Sequence, residues 1–61
     1  MNTYQHVQQL APTVGDTFSS RDLMSRLEAC TAEKLFRELR ELASAGLVKY
    51  TGKTCIFERL K

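Results

Sequence analysis

Lys34, Arg37 and Arg40 recur at every third residue, which lines their side chains along one side of the chain if the segment is helical. Their chemistry is anion recognition: guanidinium forks meet phosphate or carboxylate oxygens bidentately, and an ammonium meets them as a point charge. Across residues 48–61, Lys49, Lys53, Arg59 and Lys61 are opposed only by Glu58. That mildly basic segment suits a phosphate-facing surface or a solvated tail equally well. The net charge of the whole chain is only +2, so its basic character is local. The other reactive residue types point to little. His6, Cys30 and Cys55 are scattered without ligand spacing, so no metal is expected and the cysteines read as free thiols. There is no Gly-rich phosphate loop, no H-E-x-x-H pair and no serine-nucleophile elbow, so neither an enzyme nor a cofactor is expected.

These residues must be carried by one small domain. Sixty-one residues form a single unit over 1–61. A chain of this size buries only about 60% of the surface it exposes when unfolded, and can hardly enclose a water-excluding pocket. No hydrophobic leader or long apolar run is present, so a cytoplasmic protein without a membrane span is expected.

Four elements can be placed from local signals. Tyr4, Val7, Leu10 and Ala11 form the stripe of a helix over about residues 3–11, with Asn2 or Thr3 as N-cap and Pro12 ending it. A short extended stretch around Phe18 follows, which can add a third strand. A second helix over about 20–29 starts at Ser19 as N-cap, with Asp22 in its first turn and Phe18 and Leu23 as a hydrophobic staple. Thr31 caps a third helix over about 32–45, whose Leu35, Leu39 and Leu42 form the buried stripe. Gly46 and Leu47 close it as a Schellman motif. Residues 47–58 alternate as a hairpin. A Gly52-Lys53 loop would set Tyr50 opposite Cys55 and Val48 opposite Phe57. Only an even loop keeps the apolar residues of both strands on one face.

The expected fold class is therefore mainly α with a small β-hairpin. The run Leu39-x-x-Leu42-x-x-Ala45-Gly46-Leu47-Val48, then Gly52 in a basic hairpin and Phe57 on the return strand, carries a resemblance. With Phe18-Ser19-Ser20-Arg21-Asp22-Leu23 upstream, it resembles bacterial winged helix-turn-helix regulators, including the antibiotic-resistance and metal-sensing repressor families. That resemblance implies double-stranded DNA as partner, with helix 32–45 in the major groove and the hairpin as wing. It also implies that Ser20 and Arg21, at the start of the second helix, meet a phosphate. On the wing, Lys49, Thr51 and Lys53 would contact the backbone, although the same polar face is also what keeps a sheet edge from aggregating.

On the third helix, Glu33, Lys34, Arg37, Arg40, Glu41 and Ser44 fall opposite the leucine stripe, with Arg37 near the centre. Arg37 could read guanine through O6 and N7, flanked by Lys34 and Arg40. The alternative is a solvated helix whose charges cancel, since Glu33–Arg37, Arg37–Glu41 and Lys34–Glu38 all stand at i, i+4. Phe36 flanks the stripe. Packed beneath the hairpin or the first helix it is core, which the pattern favours; left exposed it would be a dimer contact or a protein-binding hot spot. Two functions follow: a small DNA-binding transcriptional regulator, acting as a homodimer through its first helix, or a winged helix that binds a protein partner and no DNA.

Overall fold

The computed structural model describes residues 2–27 and 31–61. In chain order it runs α1 (Thr3–Leu10), β1 (Thr17–Ser19), α2 (Ser20–Arg26), α3 (Ala32–Ser44), β2 (Val48–Tyr50) and β3 (Ile56–Arg59). The helices take about half of the chain, and the strands form one antiparallel sheet in the order β1-β3-β2.

Each helix starts where a side chain can satisfy its free N–H groups. At α1 the Asn2 side chain accepts from the Gln5 N–H, and the Gln5 side chain accepts from the Asn2 N–H, both at 2.9 Å. The helix stops at Leu10, one residue sooner than the pattern predicts. Pro12 bars Ala11 from helical angles, and Ala11 sits instead at φ −126°, ψ 79°. At α2 the Ser19 hydroxyl accepts from the Arg21 N–H at 3.1 Å, with Asp22 in the first turn and Arg26 in the last, each matching the helix dipole. The predicted end near Ala29 is not reached: Leu27 is already extended at ψ 116°, and it packs against the core from outside the helix. Residues 28–30, with Cys30, lie outside the described residues.

Helix α3 is bounded as its local signals require. Thr31 accepts from the Lys34 N–H at 3.2 Å. At the other end Gly46 adopts φ +77°, and its N–H donates to the Ala43 carbonyl while the Leu47 N–H donates to that of Leu42, both at 3.0 Å. This is the Schellman closure.

The hairpin departs from the expected register. Tyr50 faces Phe57 rather than Cys55, and Val48 faces Arg59 rather than Phe57. The loop is longer because Thr51 organises it. The Thr51 hydroxyl donates to the Ile56 carbonyl at 2.9 Å and accepts from the Lys53 N–H at 3.3 Å. Gly52 at φ +90° and Cys55 at φ +63° turn the chain. The slip is even, so Val48, Tyr50 and Phe57 still share a face. The new register also aligns a row of rings across the sheet. Phe18 stacks on Phe57 with centroids 5.9 Å apart, and Tyr50 tilts onto Phe57 at 5.4 Å.

Val7 and Ala11 of the first segment, Leu23 of α2, Leu35 and Leu39 of α3 and Val48, Phe18 and Phe57 of the sheet make one buried cluster. Polar ties surround it. The Thr3 hydroxyl donates to the Glu38 carboxylate, joining α1 to α3, and the Tyr4 hydroxyl donates to the Lys61 carbonyl. Arg59 donates through Nη1 to the Ala11 carbonyl at 2.9 Å and through Nε to that of Lys61 at 2.8 Å.

Candidate functional site

The leucine stripe of α3 decides which of its residues face outward. With Leu35 and Leu39 buried, Glu33, Lys34, Arg37, Arg40, Glu41 and Ser44 are all exposed, as their place opposite the stripe predicts. Lys34 and Arg40 stand roughly 9 Å apart along the axis, at the rise of an α-helix, with Arg37 between them. Among the described residues, none of the three i, i+4 pairs on this helix is closed as an ion pair. One cause is visible: Glu38 is half-buried and its carboxylate accepts from the Thr3 hydroxyl, so it is drawn toward α1 and away from Lys34. The three cations are left available to an external anion.

Phe36 is 48% exposed, which corrects the expectation that it belongs to the core. Leu35 and Leu39 already fill the space against the sheet, and Phe36 lies one residue round the helix from that contact. It forms a wall of an open groove of about 640 Å³ between α3 and the hairpin, with Leu39, Ala43 and Phe57 along it and Tyr50, 55% exposed, on the hairpin side. A smaller depression of about 250 Å³ lies on the outer surface of α3, lined by Glu33, Phe36, Arg37 and Arg40.

On the hairpin Lys49 and Lys53 are exposed. Thr51 is not an outward contact: it is half-buried and its hydroxyl is committed to the turn. Ser20 requires a similar correction. It is only 3% exposed, and its N–H donates to the Cys55 carbonyl at 2.8 Å, which anchors the start of α2 to the hairpin turn. The next N–H, that of Arg21, is taken by the Ser19 hydroxyl. The first turn of α2 therefore offers an anion little backbone, and only the exposed Arg21 side chain remains as a contact there.

Sequence reasoning missed the role of Arg59. Counted among the basic residues of the C-terminal segment, it is a structural tie between β3 and the end of α1. Nothing local signals this, because its acceptor Ala11 is distant in the chain. His6, expected on a helix surface, is half-buried, with its Nδ1 buried and without a hydrogen-bond partner. Cys55 is a half-buried free thiol at the groove.

The arrangement sets Lys34, Arg37 and Arg40 on the outer face of α3 and leaves Lys53 exposed on the hairpin turn, while Lys49 stands opposite Glu58 on the sheet face turned away from Tyr50 and Phe57, and Ser20 and Thr51 are left out. Among the described residues no three His, Cys, Asp or Glu side chains are placed to hold a metal ion. No helix among them is long and apolar enough to cross a membrane. Comparison of the chain with protein-family models, with curated proteins and with solved structures finds no match.

Proposed function

We propose that the protein is a sequence-specific DNA-binding transcriptional regulator of winged helix-turn-helix type, working in the cytoplasm. In this reading α2 and α3 are the helix-turn-helix, α3 lies in the major groove and the β2–β3 hairpin is the wing. The observation that carries it is the exposed row Lys34, Arg37 and Arg40, which closes no ion pair among the described residues, with Lys53 also exposed on the hairpin turn. An α-helix fits the major groove, about 12 Å wide, and cations on its outer face then meet base edges and phosphates. The molecule is 28 Å long, less than one helical turn of DNA at about 34 Å. One copy therefore covers half a site, and a homodimer gives the footprint a regulator needs.

Fluorescence anisotropy with a mixed-sequence duplex, at low and then near-physiological salt, tests the proposal. Three to five phosphate contacts correspond to a log–log salt slope of about −3 to −4.5. Arg37→Glu and Lys53→Glu should each weaken binding, and Lys53→Glu should also flatten that slope. A protein with no affinity at low salt is not a DNA-binding regulator.

A second reading, a winged helix that docks a protein and ignores DNA, is favoured by one observation: Phe36 and Tyr50 stand exposed on either side of an apolar groove. Its signature is a protein contact that is lost in Phe36→Ala and retained when the charges of Arg37 and Lys53 are reversed.

A further inference from the structure

We infer that Phe36 is a base-reading residue, its ring packing on the 5-methyl group of a thymine while the neighbouring Arg37 engages the edge of an adjacent guanine; this rests on the DNA-binding reading above. Phe36 is the exposed large apolar side chain at the border between the charged outer face of α3 and the groove beneath the hairpin, and the core closes over Leu35 and Leu39 without it. It shares its depression with Glu33, Arg37 and Arg40.

That set of side chains is a poor phosphate cradle. The Glu33 carboxylate would repel a phosphate and a phenyl ring offers it nothing. The major-groove edges of base pairs, by contrast, present this mixture. Guanine offers the acceptors N7 and O6 to an arginine, cytosine offers its N4 amine to a carboxylate, and thymine offers a methyl group to an apolar side chain. Glu33 and Arg37 lie one turn apart and are not joined as an ion pair, so both can turn outward. A second copy of this chain is the weaker occupant. It would bury Glu33, Arg37 and Arg40 of both protomers around the ring, and the cost of desolvating those charges opposes association.

The test begins with the full chain selecting a preferred duplex from a random-sequence DNA library. Each thymine of that duplex is then replaced singly by deoxyuridine, which removes one methyl group and nothing else. For the wild type, affinity should fall about fourfold at one thymine beside a guanine, the worth of one buried methyl group. Phe36→Ala should lose a similar factor on the thymine duplex and then be indifferent to uracil there, closing a double-mutant cycle. Phe36→Leu, which keeps an apolar contact, should remain sensitive. The salt slope should be the same for all three proteins, because no phosphate contact changes. Indifference of the wild type to every uracil, or full sensitivity retained in Phe36→Ala, overturns the inference and leaves DNA binding standing. Phe36-dependent dimers that bind thymine and uracil duplexes alike assign the ring to a protein contact and likewise overturn it. No salt-dependent binding to any duplex removes both this inference and the function it rests on.

Discussion

Arg59 Nη1 and the carbonyl oxygen of Ala11 lie 2.9 Å apart, so a side chain of the central strand closes the end of the first helix. The acceptor is one of the carbonyls that a helix C-terminus leaves without an internal partner. Arg59→Met keeps the aliphatic stem and removes this bond. A hydrogen bond to a charged group is worth about 1.5–3 kcal/mol, and partial exposure places Arg59 at the low end. For a domain of this size each kcal/mol corresponds to roughly 4–8 °C in Tm. A thermal melt should show the loss, and Arg59→Lys should restore little, since an ammonium cannot hold the Ala11 and Lys61 carbonyls in the same fork geometry.

Gly46 should tolerate substitution for space but not for conformation. A Cβ there would meet nothing within 4 Å, yet the backbone holds φ +77°. Gly46→Ala is expected to destabilise by about 1 kcal/mol and Gly46→Asn by less, because asparagine enters the left-handed region more readily. Urea denaturation of both variants measures the difference.

Cys55 is the converse case. It holds φ +63° in the hairpin turn, where a side chain other than glycine is strained by about 1 kcal/mol or more. Cys55→Gly should raise stability by up to about 1 kcal/mol, offset in part by the greater freedom of glycine in the unfolded chain. A midpoint that falls in urea would contradict the strain assigned to this turn.

The candidate contacts should separate into two groups when assayed on DNA. Arg37→Glu is expected to reduce affinity more than tenfold, combining a lost contact with a new repulsion of about 1.4 kcal/mol or more. Ser20→Ala should leave affinity unchanged, because the residue is buried and its N–H, retained in alanine, carries the bond to Cys55. Thr51→Val should cost about 1 kcal/mol of stability without altering the salt slope. Anisotropy titrations paired with melts distinguish the two outcomes.

What could be read from the chain depended on how local the cause was. Thr31, Gly46 and Leu47 mark the ends of α3 through bonds that span only a few residues, so its limits were legible. The outward set around Arg37 was legible too, since a buried leucine stripe leaves only one face free. The hairpin register was not. Its slip depends on the Thr51 hydroxyl and on Phe57 meeting Phe18 from a strand far upstream, neither of which a period-two pattern encodes. Ser20 looked like an exposed cap neighbour because its partner, the Cys55 carbonyl, belongs to a turn that follows α3. Phe36 was misplaced because a flanking position on a helical wheel is core or surface according to how closely the next element approaches, and here the hairpin stands off and leaves a groove.

The strand order β1-β3-β2 puts the strand of this sheet that comes last in chain order in its middle. Until β3 has cleared the ribosome, β1 and β2 have no partner, and Phe18 and Tyr50 have no ring to pack on. At roughly 5–20 residues per second, β1 therefore waits about two to seven seconds for the start of β3. A chain interrupted before Ile56 would carry Lys34, Arg37 and Arg40 but none of the sheet that aims them, and quality-control proteases would meet it as an unfolded peptide.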